Sequence, residues 1–340
     1  MIKEGISKIA SGESLVKKEM EEVFSEIMQG LASPAQIGAF ITALHIKGET
    51  IEEITAAATI MRKFSTKVNT QQRPLLDTCG TGGSKLHTFN VSTLSAFIAS
   101  GAGVYVAKHG NRASSGKCGS ADLLEKLGVN IEAEIPVVEK CLNEIGVCFM
   151  FAPKFHPAMK HAIGPRREIG IRTIFNILGP LTNPASAAHQ LLGVFSEKLV
   201  EPLVSVLKNL GLKHALVAHG QDGMDEISTT SETIIAELVN GQMKKYIVAP
   251  EQFGMKRTDI KSLQIDDSTA AAKIAQDILD NKDKGPIYEF TLLNAAFAIY
   301  AADAAASPGA GLDIAKESLE SGKAREKLES LKKITNAVNT

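Results

Sequence analysis

The 340-residue sequence predicts an α/β protein in which a small N-terminal helical domain precedes a larger α/β domain with a mostly parallel central sheet. Residues 1–68 carry apolar side chains at helical spacing and no strand pattern. From residue 75 onward, short apolar runs alternate with glycine-rich loops and helical stretches, which is the order of a sheet covered by helices. We therefore expect domains at 1–68 and 74–340, with part of 165–190 joining the first.

Capping sequences mark the helix starts of the N-terminal domain. Ser33 and Gln36 have the spacing of a capping box, with Pro34 at the first helical position. Thr50 and Glu53 repeat the pattern ahead of another apolar helix. These signals predict a small helical bundle, and a bundle of this length has an apolar face to spare for a partner.

Four short apolar runs are the strand candidates of the larger domain, at residues 75–77, 104–107, 148–151 and 215–218. Helical patterns occupy 121–127 and 135–145 between them, and the tail is helical again from Pro286. Strands separated by helices in this way favour parallel pairing, because a parallel connection needs a crossover long enough to hold a helix.

Two further segments modify this plan. Asn240-Gly241, between apolar runs at 233–238 and 244–248, predicts a β-hairpin and so an antiparallel section of the sheet. Residues 152–184 are dense in proline, glycine and cations. We expect this segment to cross between the two domains, which would bring its cations into a cleft of the kind that binds ligands.

Composition argues against several classes of protein. Lysine and arginine total 37 against 38 acidic residues, so the net charge of −1 provides no basic field for nucleic acid. The four cysteines have neither a CxxC pair nor a metal-ligand spacing, which is typical of reduced thiols. With no signal-type segment and no apolar run near the ~18 residues of a membrane helix, we expect a cytoplasmic protein without a membrane partner.

A glycine-rich loop follows the first predicted strand. Residues 77–84 read Asp-Thr-Cys-Gly-Thr-Gly-Gly-Ser, and the polar side chains of Asn90, Ser92 and Thr93 open the next helix. Glycines let backbone N–H groups approach a phosphate, and a helix N-terminus adds unpaired donors. An ordinary tight turn is the alternative, but one N-cap does not need three polar side chains, so phosphate binding is favoured.

A second loop follows the second predicted strand. Residues 108–117 read Lys-His-Gly-Asn-Arg-Ala-Ser-Ser-Gly-Lys. The loop is not a nucleotide-binding P-loop, because five residues separate Gly110 from Gly116 and Cys118 stands where that motif needs Ser or Thr. Lys108 and Arg112 remain as phosphate partners, against the alternative of a solvated surface loop. Two such loops predict a ligand with more than one phosphate.

Asp225 and Glu226 follow the fourth predicted strand and are the metal candidates. Adjacent acidic residues usually form a solvated turn, but beside two phosphate loops they suit Mg²⁺, which is held by one or two carboxylates and phosphate oxygens. His156 and His161 have no zinc spacing and no third ligand. We expect these histidines to line or cap the pocket.

Three arginines lie in the predicted crossing segment, Arg166, Arg167 and Arg172. They either balance Glu168 on a helix face or offer a guanidinium to a planar carboxylate in the cleft.

Seven motifs, taken in chain order, resemble the anthranilate phosphoribosyltransferases: Gly-Thr-Gly-Gly at 80–83, Thr-Phe-Asn-Val-Ser-Thr at 88–93, Lys-His-Gly-Asn-Arg at 108–112, Gly-Ser-Ala-Asp at 119–122, Arg-Thr-Ile-Phe-Asn at 172–176, Leu-Gly-Pro-Leu-Thr-Asn-Pro at 178–184 and Asp-Gly-Met-Asp-Glu at 222–226. The resemblance covers essentially the whole chain. It implies the nucleoside phosphorylase/phosphoribosyltransferase type of fold and a homodimer formed through the helical domain. It also implies transfer of the phosphoribosyl group of 5-phosphoribosyl 1-diphosphate to the amino group of anthranilate, with release of pyrophosphate, in tryptophan biosynthesis.

The resemblance also implies which residues hold the phosphoribosyl diphosphate. They are Gly80, Gly83, Ser84, Thr88, Asn90, Val91, Ser92, Thr93, Lys108, His109, Gly110, Asn111, Arg112, Ala113, Ser114, Ser115, Gly116 and Ser120. Ser84 departs from the family, which usually has aspartate there.

Two smaller sets follow from the same resemblance. Anthranilate is contacted by Gly80, Asn111 and Arg166, with Arg166 as the partner of its carboxylate. The cofactor Mg²⁺ is held by Ser92, Asp225 and Glu226.

Two other functions compete with this interpretation. A pyrimidine-nucleoside phosphorylase has a related fold and similar chemistry with phosphate, but it lacks the combination of the Lys-His-Gly-Asn-Arg run and the acidic pair. A non-catalytic relative that binds nucleic acid through a basic groove is disfavoured by the net charge and by the acidic pair itself.

Overall fold

The structure is a computed structural model that describes residues 1–84, 86–113 and 117–337. The α-helices are α1 (Ile2–Ala10), α2 (Lys17–Gln29), α3 (Pro34–Lys47), α4 (Ile51–Phe64), α5 (Val91–Gly101), α6 (Ser120–Lys126), α7 (Ile135–Ile145), α8 (Ala152–Phe155), α9 (Lys160–Ile169), α10 (Phe175–Leu178), α11 (Val200–Asn209), α12 (Ser268–Leu279), α13 (Pro286–Ala301), α14 (Pro308–Glu320) and α15 (Lys323–Thr335). The strands are β1 (Leu75–Gly80), β2 (Tyr105–Gly110), β3 (Val147–Phe151), β4 (His189–Gly193), β5 (His214–Gly220), β6 (Thr233–Val239) and β7 (Gln242–Val248).

The predicted helical bundle consists of α1 to α4, and both of its predicted capping boxes form. The Gln36 amide N–H donates to Ser33 Oγ (3.3 Å) while the Ser33 N–H donates to Gln36 Oε1 (2.8 Å). The Glu53 N–H likewise donates to Thr50 Oγ1 (3.1 Å). The Glu53 carboxylate is fully buried and also accepts from the Leu15 N–H (2.9 Å), so a local capping residue ties α4 to the connection between α1 and α2.

The strands form one seven-stranded sheet in the order β3-β2-β1-β4-β5-β6-β7. The first five strands pair in parallel, and the pairings of β5 with β6 and of β6 with β7 are antiparallel, which confirms the mostly parallel sheet with an added hairpin. Asn240 (φ 47°) and Gly241 (φ 85°) form the hairpin turn in the left-handed region that this turn type requires.

Strand β4 was absent from the sequence prediction. It is five residues long and begins with His189 and Gln190, so it lacks a clear apolar run. Both polar side chains are nevertheless buried and hydrogen-bonded. His189 Nδ1 lies 2.7 Å from the carbonyl of Ala301, and Gln190 Nε2 donates to the carbonyl of Pro180 (2.7 Å). Distant carbonyls therefore make this strand compatible with the core.

The order of the strands fixes where a ligand can bind. The chain leaves β1 toward β2 and β3, and then returns on the other side of β1 as β4. The connections therefore diverge at the carboxyl ends of β1 and β4, and such a switch point leaves a crevice in an open α/β sheet.

Two hydrophobic cores lie on the two faces of the sheet. One joins β1, β2 and β3, together with one face of β4, β5 and β6, to α5, α7 and the C-terminal helices α12 to α15. The other joins β4, β5 and β6 to α11 and runs on into the helical bundle. Helix α9 packs on α2 and α3, and α10 packs on α4, so the segment 152–184 does connect the sheet with the bundle. The limits of the two domains stay a prediction.

In the described ranges, no helix combines the length and the apolar character needed to cross a membrane.

A charge cluster lies at the amino end of the sheet, away from the switch point, where His214 and Glu237 are buried and Asp303 is exposed. His214 begins β5, and its Nδ1 lies 2.6 Å from Asp303 Oδ1 while its Nε2 lies 3.4 Å from Glu237 Oε1. Burial alone would lower the pKa of His214, but the hydrogen bonds to Glu237 and Asp303 outweigh it and raise the pKa. Tyr300 also donates to Glu237 (2.7 Å).

The raised pKa of His214 predicts how stability depends on pH. The imidazolium stabilises the fold fully below its unfolded pKa of about 6.5, and this contribution is lost as the pH rises through the higher folded value. We expect urea unfolding to give a difference in free energy between the wild type and His214→Asn that is largest near pH ~5.5 and shrinks above about 6.5. Tyr300→Phe removes an uncharged donor and should cost the same across this range. A pH-independent loss in His214→Asn would contradict the prediction.

The last residue of β4 has to be glycine for a steric reason. A Cβ atom at Gly193 would lie 1.6 Å from the backbone oxygen of Asp225 in the loop after β5. We expect Gly193→Ala to be destabilised by about 1–3 kcal/mol or more, as for other overpacked sites. A Cβ at Gly179 would meet nothing within 4 Å, so Gly179→Ala is the control. Thermal denaturation followed by circular dichroism measures both, and equal melting temperatures would refute the steric argument.

Candidate functional site

A cleft of about 420 Å³ lies at the switch point, between the carboxyl ends of the strands and the helical bundle. Sixteen of the predicted site residues line it: Gly80, Gly83, Ser84, Thr88, Asn90, Ser92, Lys108, His109, Gly110, Asn111, Arg112, Ala113, Ser120, Arg166, Asp225 and Glu226. Val91 and Thr93 do not line the cleft, because both are fully buried in the first turn of α5. Ser114, Ser115 and Gly116 lie outside the described residues. The ligand roles of all these residues stay predictions.

The conformation of the first loop, residues 80–84, depends on two glycines and on an arginine that hydrogen-bonds to the loop. Gly82 (φ 65°) and Gly83 (φ 86°) adopt the left-handed backbone conformation that favours glycine. Arg172 Nη2 donates to the Gly83 carbonyl (2.6 Å), and its guanidinium stacks 4.3 Å from the Phe195 ring. Arg172 was a candidate for a substrate carboxylate, but in this structure it anchors the loop.

The start of α5 faces the cleft with its backbone donors uncapped. Asn90 occupies the N-cap position, yet its side chain makes no capping bond and instead accepts a hydrogen bond from Thr93 Oγ1. The Ser92 hydroxyl accepts from Lys108 Nζ (3.2 Å). The polar run therefore leaves the helix N-terminus available to an anion, as the sequence pattern suggested.

Lys108 is a buried cation at the base of the second loop, residues 108–113. Its side chain is 3% exposed, and Nζ donates to the Thr78 carbonyl as well as to Ser92. Burial lowers the pKa of Lys108, while the nearby Asp77, Cys79 and Glu226 act to raise it. A desolvated cation in this position is a strong partner for phosphate.

Arg112, the other expected phosphate partner, is already paired. Its guanidinium binds Glu125 through two hydrogen bonds (2.9 and 3.0 Å) and Asp122 through a third (3.1 Å). Asp122 also accepts from the backbone N–H groups of Ala113 and Gly119 (both 2.9 Å). These bonds fasten the second loop to α6, so Arg112 must exchange partners in order to bind a phosphate directly.

The acidic pair lines the same cleft. Burial raises the pKa of Asp225, partly offset by a hydrogen bond from Ser84 and by the backbone N–H of Gly82. Burial raises the pKa of Glu226 well above its usual value, and the Asp225 charge adds to this. Within the described part of the chain, no hydrogen bond to the Glu226 carboxylate forms. Two desolvated carboxylates short of positive charge, beside a serine hydroxyl, are an oxygen donor set that fits Mg²⁺.

Two neutral histidines form part of the cleft wall. The rings of His109 and His156 lie 5.0 Å apart, and the cleft includes both. Burial, followed by the His156 charge, lowers the pKa of His109 to about 3, and burial, followed by Lys67, lowers that of His156 to about 4. Neither Nε2 atom has a hydrogen-bond partner among the described residues. His161 instead lies against Gly30 of the bundle.

Arg166 lies on the bundle side of the cleft, on α9. Its guanidinium is 5.1 Å from the centre of the Phe175 ring. Burial lowers its pKa, and no acidic group in the described ranges acts on that pKa. Met61, Met159 and Phe175 add apolar surface beside it. None of these three was predicted from the sequence, because apolar helix residues have the same pattern whether they face a core or a pocket.

Comparison with known proteins identifies the family. Residues 3–65 match the helical bundle domain of the glycosyl transferase family, and residues 72–325 match its a/b domain. The anthranilate phosphoribosyltransferase of Geotalea uraniireducens (strain Rf4) is 52% identical over 350 residues, covering 99% of this chain and 100% of that protein. The enzyme of the same name from Pelobacter propionicus is 50% identical, covering 98% of this chain and 99% of its own.

Solved structures agree with the sequence comparisons. The anthranilate phosphoribosyltransferase of Thermus thermophilus superimposes with a TM-score of 0.93 at 40% identity, over 98% of this chain and 99% of that one. The Saccharomyces cerevisiae enzyme in complex with PRPP and Mg superimposes with a TM-score of 0.91 at 28% identity, over 99% and 98% of the two chains. The chain therefore belongs to the anthranilate phosphoribosyltransferase family, whose members share the helical bundle and a/b domains of the glycosyl transferase family.

Proposed function

We propose that the cleft is the place where this chain performs the reaction of its family. The enzyme transfers the phosphoribosyl group of 5-phosphoribosyl 1-diphosphate to the amino group of anthranilate, giving N-(5-phosphoribosyl)anthranilate and pyrophosphate in tryptophan biosynthesis. The observation that carries the assignment is the charge arrangement of one cleft. Lys108 and the acidic pair lie on its sheet side, and the partly buried Arg166 lies on its bundle side.

The sheet side suits the diphosphate. Negative charge grows on the departing pyrophosphate in the transition state, so donors that are already oriented stabilise it without reorganisation. The first loop offers backbone N–H groups, α5 offers an uncapped N-terminus, and Lys108 offers a buried charge. No covalent nucleophile is needed, because the pyrophosphate leaves as the ribose ring gains positive charge.

We assign the Mg²⁺ site to Ser92, Asp225 and Glu226. The relative from Saccharomyces cerevisiae was solved in complex with PRPP and Mg, and the oxygen donors of this cleft suit that ion. When bound, Mg²⁺ supplies charge that offsets the growing negative charge of the leaving group. Ser84 acts to lower the pKa of Asp225, so in this chain the serine favours the charged form of one member of the acidic pair.

The bundle side suits anthranilate. Arg166 is the cation available to its carboxylate, and a guanidinium matches a carboxylate in a planar, two-bond geometry. Phe175, Met61 and Met159 provide apolar surface for the aromatic ring. Because the pKa values of His109 and His156 are low, both rings are neutral at pH 7 and add no charge beside the cationic ribose.

The attack of the anthranilate amine on the ribose carbon depends on how the two substrates are placed. The aromatic amine of anthranilate is weakly basic, so it needs orientation toward the ribose carbon more than it needs a base. Holding two substrates in attack geometry contributes roughly 7–11 kcal/mol in favourable cases. A cleft that anchors one substrate by its carboxylate and the other by its phosphates provides such placement.

The assembly and location belong to the same proposal. A homodimer formed through the helical domain would cover exposed apolar side chains there, including Leu31 (70% exposed) and Ile46 (79% exposed). Sedimentation of the wild-type chain tests this dimer. A cytoplasmic location is part of the proposal as well, since the reaction needs no other compartment.

A fluorescence assay tests the function directly. Anthranilate fluorescence should fall when 5-phosphoribosyl 1-diphosphate and Mg²⁺ are both present, and should stay constant when either is omitted. A constant signal with both present would overturn the proposal.

Arg166→Ala should weaken the binding of anthranilate far more than the binding of 5-phosphoribosyl 1-diphosphate. Loss of a charge-assisted hydrogen bond costs about 1.5–3 kcal/mol, which corresponds to a roughly 10- to 150-fold higher KM for anthranilate. Steady-state kinetics with each substrate varied in turn measures this. Arg167→Ala removes an exposed neighbouring cation and is the matched control. An unchanged KM for anthranilate in Arg166→Ala would contradict the assignment.

Asp225→Asn combined with Glu226→Gln should remove most activity and raise the Mg²⁺ concentration that half-saturates the remainder. Both changes keep side-chain shape and delete charge, so they act on the metal more than on packing. Direct titration of Mg²⁺ by calorimetry in the presence of 5-phosphoribosyl 1-diphosphate gives a second readout. Glu197→Gln with Glu201→Gln deletes two charges outside the cleft and controls for net charge. If the double variant had the same half-saturating Mg²⁺ concentration as the wild type, Asp225 and Glu226 would be part of a structural turn and not of a metal site.

A further inference from the structure

Strands β1 and β2 stop pairing well before they end. Their backbone pairing covers two positions, Leu75–Tyr105 and Leu76–Val106, although each strand continues for four more residues. Each strand keeps five paired positions with its outer neighbour, β4 or β3. We call the unpaired stretch, residues 77–80 against 107–110, the seam. It leads directly into the two loops of the cleft.

Side chains replace the missing backbone bonds across the seam. On the β1 side, Asp77 Oδ1 accepts the backbone N–H of His109 (3.1 Å). Asp77 Oδ2 accepts from Asn183 Nδ2 (2.7 Å), and the same amide nitrogen donates to the Ala107 carbonyl (2.8 Å). One carboxylate and one amide thus satisfy a donor and an acceptor of β2 that a β-ladder would otherwise pair with β1.

These two side chains have little freedom to move. Asp77 is 0% exposed and Asn183 is 3% exposed. Asn183 Oδ1 accepts the backbone N–H of Ala185 (2.9 Å), which turns both amide hydrogens toward the seam. Asn183 belongs to the segment that connects the sheet with the bundle. Its position therefore depends on the assembled fold and not on either strand alone.

The opened seam admits the Lys108 side chain. Lys108 extends from β2 to donate to the Thr78 carbonyl of β1, at the level where the strands no longer pair. If β1 and β2 closed into a regular ladder, the Thr78 carbonyl would face a backbone N–H instead. The separation of the strands therefore determines both where the Lys108 charge lies and how far apart the two loops are.

We propose that Asp77 and Asn183 are positioning residues that keep the carboxyl ends of β1 and β2 apart, so that one diphosphate ligand can contact both loops. This inference rests on the function proposed for the cleft. Neither side chain lines the cleft, so both act through Lys108 and the loop backbones. The carboxylate of anthranilate is assigned to Arg166 on the bundle side, so the affinity for anthranilate should be less sensitive to the seam than the affinity for the diphosphate.

Binding measurements on single variants test the proposal. In Asn183→Ala and Asp77→Asn, the Kd for 5-phosphoribosyl 1-diphosphate with Mg²⁺, measured by calorimetry, should rise about ten- to hundredfold, which is the effect of losing one charge-assisted hydrogen bond to the ligand. The KM for anthranilate should change by less than about threefold. Asn130→Ala removes an amide that likewise bonds two backbone groups, remote from the cleft, and is the control for lost stability. Kd values equal to the control would overturn the proposal.

A charge exchange provides a rescue test. Asn183→Asp sets two carboxylates against each other and should be the weakest binder of the series. Adding Asp77→Asn restores one donor–acceptor pair, and it should recover much of the lost affinity. The two side chains are in direct contact, so their changes should be coupled, and urea unfolding of the same variants separates recovered affinity from recovered stability. Additive loss of affinity in the double variant would therefore count against the seam.

Hydrogen exchange of the wild-type protein tests the seam without any variant that could misfold. The His109 amide, bonded to buried Asp77, should resist hydrogen exchange as strongly as the Val106 amide, which is bonded to the carbonyl of Gly146 just before β3 (2.8 Å). Exchange of His109 at the rate of an open loop would overturn the inference. If the wild type binds no 5-phosphoribosyl 1-diphosphate while His109 is protected, the proposed function of the cleft fails and the seam itself stands.

Discussion

The shared direction of the parallel strands is the constraint on which the rest of the structure depends. Because β1, β2, β4 and β5 all run the same way, the loops that follow them meet at one edge of the sheet. That edge is where the chain reverses its strand order, so the loops diverge and leave a cleft. Contacts at the edge are close enough that Gly193 at the end of β4 meets the backbone of Asp225 directly.

Charge in the cleft is divided between its two sides, and this division matches a reaction between two anionic substrates. Lys108 and the carboxylates Asp225 and Glu226 lie near one another on the sheet side, where burial disfavours uncompensated charge. Arg166 stands apart on the bundle side. Between them, burial keeps His109 uncharged. Such an arrangement is costly for stability but leaves electrostatic potential available for ligands.

Local patterns predicted well wherever a few neighbouring residues decide the outcome. The capping box of Ser33 and Gln36 and the turn at Asn240 form as the sequence indicated. The two glycine loops line a common cleft for a similar reason, since a loop that follows a parallel strand can lie only at the carboxyl edge. Strand β4 escaped prediction, because its polar first residues are satisfied by carbonyls far away in the chain.

The sequence by itself determined the alternation of helices and strands apart from β4, the positions of the glycine loops and the placement of the acidic pair behind a strand, because periodicity and turn chemistry act over a few residues. Only the tertiary structure decided which cations remain available to a ligand. Arg112 is engaged by Glu125, Arg172 is engaged by the first loop, and Lys108 enters the gap between two strands. Those pairings join residues from separate elements, so their geometry exists only when the elements have packed together.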